Sequence, residues 1–367
     1  MRIACYVSGH GFGHAARVCE VLRALRGLRP DIEPVIRSPL GRWFFDFNLG
    51  GGFTHGHCQL DVGVVQADTL SSDLAATQRA YAAIDADATR LVEAEIAAVA
   101  AHRPGLVFAD IPALGFDIAV RLGVPGVAMT NFSWDWIYAD YAGELPAFAP
   151  LVGNLRASYA RAALLLRLPL HGDLSAFPRI RDIPFVARRA TVQRADVRAR
   201  LDLPRHDRLV LLSFGGIGLV LASAPALRGV SFVSTGGAAA GGDGPRGCRS
   251  LTHSEMTTAG VRYEDLVGTC DAVMTKPGYG IVAECIANGT PIIYTSRGRF
   301  AEYACLVAGI EAHLSNAFIG NEDLRSGRWA AALEAVLEQP RRAAALRTDG
   351  ASVAAEALSS LIGGMGP

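Results

Sequence analysis

Two histidines in one glycine-rich stretch are the first residues of this chain with the makings of chemistry. The segment "VSGHGFGHAARVCEVL", Val7 to Leu22, sets His10 and His14 among Gly9, Gly11 and Gly13, between an apolar run and a helix-periodic one. Glycines at such a junction permit a sharp turn and close backbone approach to a ligand. Gly9-x-Gly11-x-Gly13 is not the G-x-G-x-x-G of a dinucleotide site, no acidic residue ends the second strand, and the G-K-[ST] ending of a P-loop is absent. What remains is a loop that presents His10, Gly11, Phe12, Gly13 and His14 at the mouth of a sheet. The plain alternative is a turn with incidental histidines. The helix dipole disfavours a cation at a helix start, which suits a histidine there to accept a proton. A general base also needs a carboxylate on its other ring nitrogen. Asp110, closing the strand "GLVFAD", is the candidate; an Asp there could equally cap the next helix, and Pro112 is compatible with both roles.

A second cluster lies in "KPGYGIVAECIANG", where Lys276, Gly278, Tyr279 and Gly280 lead into a helix bearing Glu284. Free N–H groups at a helix start can cradle a diphosphate, and Lys276 adds positive charge. A carboxylate one turn in can accept hydrogen bonds from vicinal ribose hydroxyls, although a first-turn acid is also an ordinary sight. "SFGGIG" repeats the device with Ser213, Gly215 and Gly216. "TNFSWDWIYADY", with Asn131 and Trp134, is aromatic enough to be a core patch or the wall of a sugar or acceptor site. "DVGVVQAD", with Gln66 and Asp68, reads as a polar loop whose composition alone decides nothing.

These residues need elements to hold them. "RIACYVSG", "EPVIRSP", "GLVFAD" and "PGVAMTNF" read as strands, separated by helical patterns over 15–28, 74–101 and "ALGFDIAVRLG". Alternation of this kind implies βαβ units and a parallel sheet. Residues 171–190 are proline-punctuated and without period, and are assigned as the crossing between domains. A second α/β cycle follows with "RLVLLSFGG", "GVSFVSTGG", "AVMTKPG" and "TPIIYTS" as strands. The expected division is 1–170 for a first Rossmann-like domain, 171–190 for the crossing and 191–345 for a second such domain. An Ala-rich helix at about 346–367 is free to pack back on the first. The cleft between them would lie at the carboxyl ends of both sheets.

The bulk composition narrows the classes. The 367 residues balance 35 basic against 35 acidic side chains, so no global field draws the chain to nucleic acid or a membrane surface. None of the seven cysteines forms a C-x-x-C pair, which reads as buried reduced thiols of a cytoplasmic protein. No apolar run approaches membrane-spanning length, and "IACYV" is too short for a signal peptide. Nothing in the sequence sets an oligomeric state.

The stretch around Glu284 resembles the donor-nucleotide motif of GT-B glycosyltransferases. The sequence is more similar still to the N-terminal, glycosyltransferase-like half of L-arabinokinases and their stand-alone bacterial relatives. "GHGFGHAARV", "DVGVVQAD", "TNFSWDWIYADY", "LPLHG", "FPRIRDIPFVARR" and "KPGYGIVAE" carry that resemblance in order, over nearly the whole chain. The resemblance implies a GT-B fold, two facing Rossmann-like domains around a deep cleft. By it, His14 is the base and Asp110 its partner, Glu284 binds the ribose, and Gly278 to Gly280 meet the diphosphate. Glu302 falls at the donor-sugar position, where "AEYA" departs from the usual D/E-Q pair. A Gly/Ser-rich ATP loop of the kinase half is missing, so sugar phosphorylation is not expected of these residues.

The expected activity is inverting transfer of a sugar from a nucleoside-diphosphate sugar, a UDP-sugar by analogy of fold, to a hydroxyl of a small molecule. The nucleotide sugar is a co-substrate and no cofactor is implied. No D-x-D pair falls where a GT-A enzyme would hold its metal, so no metal is expected. Two other readings stand beside it: a non-catalytic nucleotide-sugar-binding or interaction module, and a nucleotide-sugar 2-epimerase or hydrolase.

Overall fold

The computed structural model describes residues 1–68, 71–214, 224–235, 247–342 and 346–363. The first domain is built on β1 (Arg2–Val7), β2 (Glu33–Arg37) and β3 (Thr54–Gly56); a small antiparallel pair, β4 (Gln66–Asp68) and β5 (Ser71–Ser72), stands apart. β6 (Leu106–Asp110), β7 (Gly126–Thr130), β8 (Leu164–Arg167) and β9 (Ile180–Asp182) complete a seven-stranded sheet in the order β3-β2-β1-β6-β7-β8-β9. Every pairing in it is parallel. Strands covered on both faces must be apolar throughout, and residues 3–7 and 106–110 are fully buried.

The second domain carries β10 (Arg208–Ser213), β11 (Val230–Thr235), β12 (Cys248–Leu251), β13 (Ala272–Thr275), β14 (Ile292–Thr295) and β15 (Asn316–Ile319). They form a six-stranded parallel sheet, β12-β11-β10-β13-β14-β15. In both sheets the strand order reverses beside the first strand, at β1/β6 and at β10/β13. Ligands of open α/β sheets bind outside the carboxyl ends of the strands at such switch points. His14 and Asp110 lie at one, Ser213 and Lys276 at the other.

Three details differ from the sequence reading. The 74–101 pattern is two helices, Leu74–Ala86 and Ala88–Ala100, broken at Asp87, whose backbone leaves helical geometry. The first helix runs Phe12–Leu28 and starts inside the glycine loop, because Gly11 turns the chain with a φ of 82°. The stretch assigned as the crossing also supplies β9, whose three residues are all exposed and so show no period. The Gly350–Gly363 helix packs against Phe12–Leu28, and their apolar faces share one core with Ile3, Leu22 and Ala355.

Candidate functional site

The register of the first sheet sets Asp110 beside Val7, so the end of β6 meets the start of the glycine loop. The Ser8 amide donates to the Asp110 carbonyl at 2.9 Å, and the Asp110–Ile111 peptide is cis. One turn into the Phe12–Leu28 helix, His14 points back to this strand end. Its Nδ1 lies 2.8 Å from Asp110 Oδ1. The same Nδ1 also lies 3.1 Å from Arg17 Nη2; with Nδ1 protonated toward the carboxylate, Nε2 is the proton-accepting nitrogen.

Asp110 has a second partner that the sequence reading missed. Arg17 Nε donates to Oδ2 at 2.5 Å and Arg17 Nη2 to Oδ1 at 2.7 Å. His14 and Arg17 are three apart on one helix and therefore share a face, which was the available signal. All three side chains are buried: His14 is 6% exposed, Arg17 5% and Asp110 0%. Burial alone would raise the Asp110 carboxyl, but Arg17 and then His14 outweigh it and hold the group below the usual carboxylate range.

His10 lies on the other wall. Its ring stacks on Phe300 at 6.2 Å, meets Trp134 edge-on at 5.3 Å, and accepts the Val64 amide at 3.4 Å on Nδ1. Gly63, at a φ of 72°, lets the ring come closer than any Cβ would allow. Burial, then Arg297, His14 and Lys276, push His10 well below the ordinary histidine value, so it is neutral. Trp134 is wholly buried and donates Nε1–H to Asp61 Oδ2 at 2.9 Å; Asp61 is a buried acid that the sequence reading did not single out. Phe12 packs with Trp43 and Phe44 in an aromatic group of its own.

The two domains meet across these residues. Gly13 and Gly280 are backbone to backbone: a Cβ on Gly280 would sit 3.4 Å from the Gly13 Cα. The Arg17 guanidinium lies over the Tyr279 ring, 5.0 Å from its centroid. Lys276 Nζ donates to Gln66 Oε1 at 3.2 Å. Asn131 Nδ2 donates to Glu302 Oε1 at 2.7 Å, while Arg297 Nη1 donates to Glu302 Oε2 at 3.0 Å. The Tyr279–Asn288 helix begins at Gly278, which brings no side-chain cap, and no acceptor is seen among the described residues for its first N–H groups.

Glu284 lies against an arginine. It is 5% exposed and Arg188, from the 171–190 stretch, donates both Nε (at 2.7 Å) and Nη2 to its Oε1. Arg188 Nη1 also donates to Asn48 Oδ1 at 3.0 Å and lies 3.3 Å from Glu264 Oε2. Burial and Glu264 outweigh Arg188, so the Glu284 carboxyl is pushed up to about 7. Both of the Arg188 bonds to Glu284 fall on Oε1. Ser213 Oγ is bonded to Tyr263 OH at 2.6 Å. Gly215, Gly216 and the Asp68 side chain lie outside the described residues. Among the described residues no group of three His, Cys, Asp or Glu is placed to hold a metal ion, and no helix is long and apolar enough to cross a membrane.

No protein-family model matches the chain. Its sequence is 29% identical over 344 residues to L-arabinokinase of Arabidopsis thaliana, an alignment that takes in 90% of this chain but only 32% of that protein. The chain thus spans about a third of the length of the relative it matches. Among solved structures, the calicheamicin glycosyltransferase CalG4 superposes over all of both chains with a TM-score of 0.60 at 14% identity. SnogD from Streptomyces nogalater covers 98% of this chain and 99% of its own, with a TM-score of 0.55 at 20% identity. The spinosyn rhamnosyltransferase SpnG, solved with thymidine diphosphate, covers 99% of this chain and 96% of its own, with a TM-score of 0.60 at 16% identity. The chain has the GT-B fold of these glycosyltransferases and is related in sequence to part of L-arabinokinase.

Proposed function

We propose that the protein is an inverting, metal-independent glycosyltransferase that moves a sugar from a nucleoside-diphosphate sugar to a small-molecule hydroxyl in the cytoplasm. The observation that carries this reading is the buried His14–Asp110 pair, set against the uncapped start of the Tyr279–Asn288 helix. His14 Nε2 takes the proton of the acceptor hydroxyl as its oxygen bonds to the anomeric carbon. The bond from that carbon to the diphosphate oxygen breaks on the opposite face. The leaving diphosphate gains charge, which the N–H groups at Gly278 to Gly280 and the Lys276 ammonium stabilise; such donors contribute a few kcal/mol each. Asp110 keeps the imidazole in the right tautomer and supports it once protonated.

The base is favoured as uridine, although the comparison with SpnG makes thymidine the natural competitor. A thermal-shift series with UDP, TDP and their sugars tests both, since a ligand at 100 times its Kd stabilises by about 2.7 kcal/mol. Turnover of a donor–acceptor pair that His14→Ala abolishes supports the reading. Turnover unchanged in that variant, or no shift with any nucleotide, overturns it.

A second reading, a non-catalytic nucleotide-sugar-binding or interaction module, meets the same arrangement of donor-side carboxylates. Both carboxylates assigned to the donor are already partnered, Glu284 by Arg188 and Glu302 by Asn131 and Arg297. A module of that kind binds the nucleotide sugar but neither transfers nor hydrolyses it. A 2-epimerase or hydrolase would instead convert the nucleotide sugar with no acceptor present.

A further inference from the structure

We infer that Asn131 is a positioning residue that ties the orientation of the His14–Asp110 pair to the approach of the two domains. The inference rests on the glycosyltransferase reading of that pair. Asn131 follows β7 at the carboxyl edge of the first sheet and is fully buried. Its amide is divided between the domains. Oδ1 accepts Arg17 Nη1 at 2.9 Å, within the first domain. Nδ2 donates to Glu302 Oε1 at 2.7 Å, in the second.

This amide has one workable orientation. Reversed, it would turn its NH2 against a guanidinium and its oxygen against a carboxylate, two contacts that repel. Glu302 fixes that orientation, and Glu302 is itself held by Arg297, whose Nη1 also donates to the Pro277 carbonyl at 3.1 Å. A continuous line of hydrogen bonds therefore runs from His14 through Asp110, Arg17, Asn131, Glu302 and Arg297 to the residue preceding Gly278. Its two ends are the proton acceptor and the start of the helix assigned to the leaving diphosphate.

Withdrawal of the second domain breaks this line at one bond, Asn131 to Glu302. The amide then keeps only the bond from Arg17 Nη1, so one of the two contacts that fix its position, and through it the guanidinium, is lost. Asp110 Oδ1 serves both Arg17 Nη2 and His14 Nδ1, so a shifted guanidinium moves the oxygen that orients the imidazole. The base is aligned when the cleft is closed and slack when it is open, which would limit donor hydrolysis before the acceptor is in place.

The test uses the full chain with Asn131→Asp, Glu302→Gln and the double variant. Asn131→Asp keeps the shape but sets a carboxylate against Glu302. The double variant exchanges amide and carboxylate between the two positions, so the negative charge sits at position 131, the amide at position 302, and the bond between them can re-form. Two readouts need no donor: the imidazole 15N signals of His14, and the radius of gyration by X-ray scattering. Asn131→Asp is expected to alter the Nδ1 signal and expand the chain, and the double variant to reverse both. With a verified donor, kcat of Asn131→Asp falls about 100-fold.

An Nδ1 signal unmoved by Asn131→Asp overturns the inference, as does a double variant that restores neither readout. If Asn131→Asp fails to fold, Glu302→Gln decides alone: it weakens the acceptor for Asn131 Nδ2, and an unaltered His14 signal in it is equally fatal. Absence of turnover in the unsubstituted protein would count against the glycosyltransferase reading, while the two structural readouts would still report on the linkage.

Discussion

Arg17 grips Asp110 through both carboxylate oxygens, Nε to Oδ2 at 2.5 Å and Nη2 to Oδ1 at 2.7 Å, with neither side chain more than marginally exposed. A buried pair of this kind is a poor source of net stability, because desolvation offsets much of the attraction. Breaking it is another matter. Arg17→Met leaves a buried carboxylate with His14 as its remaining side-chain partner, and is expected to cost about 3–5 kcal/mol in urea unfolding. Arg17→Lys is not expected to rescue it, since an ammonium cannot hold both oxygens and Asn131 together. A loss below about 1 kcal/mol, the range of exposed pairs, would show that Asp110 is solvated in solution.

Asp110→Asn tests the other half of the pair. The amide keeps the shape but not the charge that supports a protonated imidazole, and turnover is expected to fall by about 10²–10⁴. The same variant changes the acid limb of stability. Asp110 is held below its unfolded value by Arg17 and His14, so its contribution is present above the ordinary carboxylate range and is lost as pH falls through the lowered native value. Asp110→Asn should flatten that acid limb in a pH series of melting temperatures.

Much of this architecture was legible because parallel strands buried on both faces read as unbroken apolar runs. Asp110 and Lys276 were found because each stands directly after such a run, at a strand end or one residue beyond. The break at Asp87 was hidden, since one non-helical residue leaves the apolar period on either side intact. β9 carries no pattern because nothing covers it. Arg17 and Arg188 were passed over for a common reason. An arginine is ordinarily solvated, and only the tertiary approach of Asp110, Glu284 and Glu264 shows that these two are not. Asp61 likewise has no sequence signal, since its partner Trp134 is 73 residues away.

Glu284 and Arg188 make stability depend on pH in the opposite sense to Asp110. The native Glu284 value of about 7 lies above its ordinary 4.5, so the folded chain holds a proton that the unfolded chain releases between these values. Its contribution is fully present below about 4.5 and lost as pH rises through about 7, at most about 3 kcal/mol in all. Glu284→Gln is expected to remove this slope from a series of melting temperatures. A slope that survives the substitution assigns the titration to another group.

The contact between Gly13 and Gly280 offers a direct handle on domain closure. A Cβ on Gly280 would stand 3.4 Å from the Gly13 Cα, an ordinary van der Waals separation, and the backbone there is not left-handed. Gly280→Ala should therefore be tolerated, and as a helical position it gains up to about 1 kcal/mol of propensity. Gly280→Val adds two γ-carbons to a Cβ already in van der Waals contact with the facing backbone. The Val variant is expected to push the domains apart, with a larger radius of gyration and altered His14 15N signals, while the Ala variant shows neither. If both variants scatter like the unsubstituted chain, the two glycines are not in contact in solution, and the closed line from His14 to Arg297 loses its footing.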